Sequence, residues 1–179
     1  MRSSMPSYRS RSLPVVRLTI WIVLTLLWMG LIFSVSNQPY QQQDIKPLLS
    51  DWIAEPSLEA FTPSIEFTYG GYTVSGQHPY DFWEFFIRKA GHVSEFALLT
   101  FLLIRVFSLL TDARYAPLLW AGLVAYAYAM TDEWHQKWIA GRTGHFSDTL
   151  IDAIGIVLMV VIYMLIRRRR SRSRGLHFG

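Results

Sequence analysis

The chain has no cysteine among its 179 residues, which excludes disulfides, thiol catalysis and thiolate metal sites. It is also poor in charge, because Asp, Glu, Lys and Arg make up 17% of the sequence while hydrophobic residues make up 51%. Several long stretches have almost no charge, and the two tails are dense in arginine. This distribution is typical of membrane-spanning segments rather than of a water-soluble core, and the length predicts a single domain.

Four apolar stretches predict an all-α integral membrane protein, a bundle of four transmembrane helices. The predicted spans cover about 18–35, 90–110, 117–139 and 148–166. At about 1.5 Å per residue, a helix of this length roughly crosses the hydrocarbon core. A cleaved signal peptide is the alternative for the first stretch, because residues 34–36 have cleavage-like spacing. The stretch is longer than a usual signal sequence, so we expect a retained helix.

The segment 36–85 between the first two spans is polar and rich in aromatic residues, and it is predicted to be an outer loop. Residues 65–75 alternate apolar and polar side chains around Gly70 and Gly71, which predicts a small β-hairpin. A short interfacial helix is expected within 44–60. Residues 81–89 read as an amphipathic lead-in to the second span, with aromatic rings suited to the membrane interface.

Lysine and arginine positions predict that both termini are cytoplasmic and that the protein crosses the membrane several times. With the N-terminus inside, twelve of the 17 Lys and Arg residues lie inside and five lie outside. The basic tails 1–17 and 167–179 then flank the membrane domain 18–166. The net charge of +4 and the pI near 9.5 are explained by this bias and by contact with anionic lipid. No nucleic-acid role is expected.

Three short segments interrupt the membrane composition with titratable side chains. They are residues 88–95, 131–136 and 142–148, the last continued by Asp152. In the predicted topology the second span begins outside, the third ends outside and the fourth begins outside, so all three segments reach one membrane face. An ionised side chain near the middle of a bilayer costs about 2.5–3.5 kcal/mol. We therefore expect these groups to face one another or a wet cavity.

Residues three or four positions apart share a helix face, and this spacing selects a candidate site. We predict one polar cavity at the outer leaflet, with His92 at its edge and with Gly155 allowing a neighbouring helix to approach closely. Glu133 is expected to point away from this cavity or only to graze it, because it is about 100° out of phase with Asp132. The alternative is that these charges simply reside among the lipid headgroups. The candidate residues are Lys89, His92, Glu95, Asp132, His135, Gln136, Arg142, Asp148 and Asp152.

The same segments carry motifs of a known family. The relevant stretches are residues 33–38, 87–96 and 132–138, followed by Gly141, Arg142, Asp148, Asp152 and Gly155. In this order they resemble the VanZ-like family, with Ala140 departing from the proline that many members carry. The resemblance implies a small bacterial membrane protein. The family's namesake is associated with low-level resistance to teicoplanin, a lipoglycopeptide, and the resemblance implies no settled biochemical activity.

Three functions fit these observations. In the first, the site binds an anionic envelope lipid, a lipid-linked envelope precursor or a lipoglycopeptide, with Lys89 and Arg142 supplying cationic contacts. In the second, the protein is a membrane hydrolase or transferase acting on a lipid-linked phosphate, using either a metal or His135 as a general base oriented by Asp132. In the third, the cluster only fixes the helix arrangement. The catalytic set, if there is one, is Glu95, Asp132, His135 and Asp148; the sequence leaves metals, cofactors and enzymatic activity open.

Overall fold

A computed structural model describes the backbone of residues 12–139 and 146–175, and the side chains of 14–139 and 147–169. The described chain is mostly helical, with one two-stranded sheet. Its elements are α1 (Ser12–Ser36), α2 (Tyr40–Gln43), α3 (Lys46–Trp52), α4 (Glu55–Phe61), β1 (Glu66–Tyr69), β2 (Tyr72–Ser75), α5 (Pro79–Leu110), α6 (Ala116–Gln136) and α7 (Phe146–Gly175).

Three helices in the described part of the chain are long and apolar enough to cross a membrane. They are Pro14–Ser36, Pro79–Leu110 and Ser147–Arg169. The 21-residue α6 does not qualify, because polar side chains such as Asp132, Glu133 and Gln136 occupy its last turns. The prediction of a helical membrane protein is thus confirmed with three candidate spans, and the fourth span remains a prediction.

Three long helices, α1, α6 and α7, pack around the fourth, α5. The core is built from large side chains of α5, such as Phe96, Leu99 and Ile104, against alanines of α6. Ala121, Ala125 and Ala129 are fully buried and recur every four residues, so they form one smooth stripe. Small residues on a stripe let two helix backbones approach closely, which is the usual packing of membrane helices.

The α5 and α7 helices run parallel and touch at Gly155. A Cβ at this glycine would lie 2.2 Å from the backbone oxygen of Val93, so the close approach that the sequence predicted is confirmed. The same register brings the preceding turns of α7 against those of α5. The antiparallel α1 lies on the other side of α5, where Trp28 Nε1 donates to the carbonyl of Glu95 over 3.0 Å.

The helix ends differ from those expected from apolar composition. The helix α5 begins at Pro79 instead of near residue 90, because the predicted lead-in continues unbroken into the span and Pro79 suits a first helical turn. The helix α7 continues through the arginines to Gly175, since arginine is a good helix former. Helix α1 likewise begins at Ser12, inside the predicted basic tail.

The outer segment contains the predicted hairpin. Strands β1 and β2 pair antiparallel with Tyr69 opposite Tyr72. Gly70 and Gly71 have φ angles of 56° and 85°, the left-handed backbone that a tight two-residue hairpin turn requires. In place of one interfacial helix, two short helices, α3 and α4, occupy the expected region and contact α5.

Candidate functional site

The polar segments of α5 and α7 meet through two pairs of side chains. Lys89 Nζ hydrogen-bonds Asp148 Oδ1, and one turn further along His92 Nδ1 lies 3.2 Å from Asp152 Oδ1. Asp152 is 1% exposed, so its carboxylate depends on this partner for compensation inside the bundle. His92, predicted at the edge of a cavity, lies within the contact between α5 and α7.

The hairpin covers the Lys89–Asp148 pair. Tyr69 Oη donates to Asp148 Oδ1 over 2.7 Å, and Lys89 Nζ lies 4.7 Å from the centre of the Tyr69 ring. The lysine also lies 5.6 Å from the centre of the Phe85 ring, so aromatic faces flank its ammonium group. Burial and the bond to Asp148 raise the pKa of Tyr69, so this hydroxyl stays a donor.

Glu133 is also part of this arrangement, and the prediction that it points away is wrong. Its residue is 3% exposed, and its carboxylate interacts electrostatically with Asp148, Asp152 and His92. The angle between Asp132 and Glu133 on the helix was predicted correctly. However, α6 contacts α1 as well as α5 and α7, so side chains that point in either direction are buried. We call Lys89, His92, Glu133, Asp148 and Asp152 the three-helix cluster.

Asp132 and Gln136 face α1 instead. Ser36 Oγ donates to Asp132 Oδ2 over 2.7 Å, and Gln136 Nε2 donates to the same oxygen over 2.8 Å. Gln136 also donates to Ser36 Oγ over 3.1 Å, which closes a triangle that we call the α1–α6 triad. Asp132 Oδ1 is buried without a hydrogen-bond partner among the described residues.

His135 does not form the predicted dyad with Asp132. Its ring packs on Phe33 of α1, with 4.5 Å between ring centres, and its buried Nδ1 has no hydrogen-bond partner within the described chain. The histidine oriented by an aspartate is instead His92, through Asp152. A helical wheel of α6 alone could not distinguish these pairings, because the aspartate partner lies on another helix.

Two candidate residues remain, Glu95 and Arg142, and the structure describes only the first of them. Glu95 is half-buried on α5 and acts electrostatically on His92, so it borders the three-helix cluster. Arg142 lies outside the described residues. The candidate site therefore consists of two adjoining polar groups. Asp132 of the α1–α6 triad interacts electrostatically with Glu133 and Asp152 of the three-helix cluster.

Residues that sequence reasoning missed hold the outer segment to the start of α5. Buried Glu84 accepts a 3.0 Å hydrogen bond from Tyr40 Oη and lies 3.8 Å from Arg88 Nη1. Lys46 Nζ donates to Asp81 over 2.9 Å, and this bond raises the lysine's pKa. The spacing of Glu84 and Arg88, four apart on one helix, was the available signal.

No three His, Asp or Glu side chains in the described part of the chain come together as a metal site. The aspartates that could bind a metal are instead paired with other side chains. Asp148 pairs with Lys89, Asp152 pairs with His92, and Asp132 accepts hydrogen bonds from Ser36 and Gln136. Paired side chains of this kind can recognise a polar group, and His92 can transfer a proton.

Comparison with known proteins now identifies the family. The VanZ/LLP1 family model matches residues 21–167, which include both polar groups, the whole of α5 and α6, and most of α1 and α7. The chain belongs to the VanZ/LLP1 family. The resemblance deduced from the motifs is thereby confirmed, and this VanZ-like chain is a membrane protein with three candidate spans.

A curated relative supports the same placement. The VanZ-like chain is 37% identical over 88 residues to the uncharacterized membrane protein YwnJ of Bacillus subtilis (strain 168). The match covers 49% of this chain and 56% of that protein, so the chain spans little more than half of the relative's length. No solved structure matches the chain.

Proposed function

We propose that this VanZ-like protein binds the polar head of an anionic envelope lipid, a lipid-linked envelope precursor or a lipoglycopeptide at the three-helix cluster. The observation that carries the proposal is Lys89. Its ammonium group is held by Asp148 and two aromatic rings where the first turn of α7 meets α5, and the hairpin lies over it. An ammonium group has three donors, so Lys89 can contact a phosphate or carboxylate without leaving Asp148.

The sequence supplies a second cation for the same ligand. Arg142 follows α6 and precedes α7 in the chain, and a guanidinium group binds phosphate or carboxylate in a bidentate manner. In this proposal Glu95 and the His92–Asp152 pair orient the headgroup at the cluster. Asp132, His135 and Gln136 support α6 from the side that faces α1.

The proposal includes the topology of four spans with both termini in the cytoplasm. The helix α6 runs beside the three candidate spans and has 21 residues, which at about 1.5 Å each is about the hydrocarbon thickness. Its direction places the α1–α6 triad and the three-helix cluster at one end of the bundle. The bias of lysine and arginine assigns that end to the outer leaflet.

Lipid retained by the purified protein tests the binding proposal. Mass spectrometry of lipid extracted after extensive detergent exchange should show one headgroup class enriched over the bulk membrane. Lys89→Gln and Arg142→Ala should each reduce that enrichment about tenfold, because each removes a charged hydrogen bond. Lys137→Gln is the matched control, since Lys137 is exposed on the same end of α6. Bulk lipid alone, unchanged by either variant, rejects the proposal.

We also propose that ligand binding at this site gives a cell low-level resistance to teicoplanin. Expression in a susceptible Gram-positive host should raise the inhibitory concentration of teicoplanin, and the increase should require Lys89. Western blotting of membranes controls for equal amounts of the Lys89→Gln protein. An unchanged inhibitory concentration with full expression removes the antibiotic from the proposal and leaves the lipid ligand.

The His92–Asp152 pair favours a second candidate, a hydrolase or transferase acting on a lipid-linked phosphate. Asp152 bonds Nδ1 of His92, so Nε2 can serve as a general base. Phosphate release from a lipid pyrophosphate in proteoliposomes should then fall at least about hundredfold in His92→Gln. Wild-type protein that releases no phosphate, with or without added divalent cations, rejects this candidate.

A further inference from the structure

The carboxylate of Glu133 is the one in the three-helix cluster without a donor among the described residues. Both oxygens are buried and have no hydrogen-bond partner in the described part of the chain. Its neighbours are already engaged, since Lys89 bonds Asp148 and His92 bonds Asp152. Leaving a buried acceptor without a hydrogen bond is unfavourable, and more so when the acceptor is charged.

The local charge favours a cationic partner. Glu133 interacts electrostatically with three other carboxylates, those of Asp132, Asp148 and Asp152. The cluster's own nitrogen side chains, Lys89 and His92, are each paired with one of these aspartates. His92 interacts favourably with an ionised Glu133, but its ring is already paired with Asp152 and it donates no hydrogen bond to Glu133. A donor with a positive charge would satisfy both the charge and the oxygens of Glu133.

We infer that Glu133 binds a primary ammonium group of the ligand. This rests on the proposed function and narrows its ligand to a head that combines a phosphate with a primary amine, as in an ethanolamine phospholipid. The phosphate contacts Lys89 while the ammonium group contacts Glu133. The bond of Lys89 to Asp148 already shows how this cluster holds an ammonium group.

The geometry distinguishes a primary amine from a quaternary one. A primary ammonium group donates hydrogen bonds to the carboxylate, whereas a choline group carries the same charge without an N–H. The inference therefore predicts discrimination between two lipids of equal charge and similar shape. Discrimination of this kind follows from hydrogen bonding at a buried acceptor rather than from surface electrostatics.

The first test compares lipid retention from two membranes. Wild-type protein is reconstituted in vesicles of phosphatidylglycerol with either phosphatidylethanolamine or phosphatidylcholine, and retained lipid is counted by mass spectrometry. We expect about tenfold preference for ethanolamine over choline lipid in wild type and none in Glu133→Gln. Glu59→Gln, an exposed carboxylate on α4, is the matched control and should keep the preference.

The outcomes separate this inference from the proposed function. If Glu133→Gln keeps the ethanolamine preference, the inference is wrong while headgroup binding stands. If wild type retains only bulk lipid, the proposed function itself fails. Adding soluble ethanolamine distinguishes the source of the amine: displacement of the lipid at millimolar concentration would mean that a free amine is the ligand and would overturn the lipid assignment.

A second test uses unsubstituted protein, so it does not depend on the folding of a variant. Dicyclohexylcarbodiimide modifies protonated carboxyl groups in membranes, and peptide mass spectrometry locates the adduct. We expect modification of Glu133 in choline-lipid vesicles and at least about fivefold protection in ethanolamine-lipid vesicles, since an ammonium partner keeps the carboxylate ionised. Equal modification in the two membranes, whether high or low, overturns the inference.

Discussion

His92 Nδ1 on α5 lies 3.2 Å from Asp152 Oδ1 on α7, and this contact joins the two helices although the residues are 60 positions apart in the sequence. One turn towards the bundle centre, the backbones of the same helices touch at Val93 and Gly155. The polar contact and the close approach depend on one another, because the pair can form only where α5 and α7 share this register. Glu133 of α6 adds a third helix to the same place.

Gly155→Ala should disrupt this register. The new Cβ would lie 2.2 Å from the carbonyl oxygen of Val93, and backbone cannot yield there without separating the helices. We expect a loss of about 1–3 kcal/mol, typical of overpacking, measured by thermal unfolding in detergent. Gly30→Ala is the matched control, since nothing lies within 4 Å of the added atom. Equal melting temperatures for the two variants would contradict the helix register.

The predictable part of the fold comes from local composition. Apolar runs predicted the long helices, and Gly70–Gly71 between alternating residues predicted the hairpin. The family match over 21–167 includes all the motifs by which the sequence resembled the VanZ-like family. The start of α5 was misplaced because hydropathy marks where a helix becomes apolar, not where its backbone hydrogen bonding begins.

The side-chain partners of the candidate site were less predictable. Helical spacing gives the angle between Asp132 and Glu133, but it does not give the rotation of α6 relative to its neighbours. The partner of Asp132 is Ser36, 96 residues away, and the partner of Asp148 includes Tyr69, 79 residues away. Such contacts depend on tertiary packing, for which one sequence carries no local signal.

Tyr69→Phe should loosen the hairpin from α7. The substitution removes the 2.7 Å hydrogen bond to Asp148 and leaves the ring over Lys89. A hydrogen bond to a charged group is worth about 1.5–3 kcal/mol, so hydrogen exchange at residues 66–75 should become at least about tenfold faster. Tyr115→Phe, at an exposed ring on the opposite end of the bundle, should leave this exchange unchanged. Unchanged hairpin exchange in Tyr69→Phe would exclude the anchoring role.

Ser36→Ala should destabilise the contact between α1 and α6. It removes the donor to Asp132 Oδ2 and leaves Gln136 as the remaining described donor to that oxygen. The expected loss is about 1–3 kcal/mol, measured by thermal unfolding. Ser34→Ala, one exposed position on the same helix, should change stability by less than about 0.5 kcal/mol. When Asp132 is already replaced in Asp132→Asn, the further loss of stability caused by Ser36→Ala should be smaller. An equal loss in the two backgrounds would mean that Ser36 does not act through Asp132.

The topology can be mapped cleanly because the chain has no cysteine of its own. Single substitutions Ser57→Cys, Asp112→Cys and Ser173→Cys provide one thiol in each region. A membrane-impermeant maleimide applied to intact cells should label the first variant alone, and permeabilised cells should show labelling of all three. Labelling of either of the other two in intact cells would place part of the polar end on the wrong side and refute the shared outer site.

A structure by electron cryomicroscopy in a nanodisc of phosphatidylethanolamine and phosphatidylglycerol tests the central claim most directly. The account predicts headgroup density at the three-helix cluster, with a phosphate within hydrogen-bond distance of Lys89 Nζ and an amine within hydrogen-bond distance of the Glu133 carboxylate. A cluster closed by protein side chains alone, with lipid density confined to the outer surface of the bundle, would contradict it.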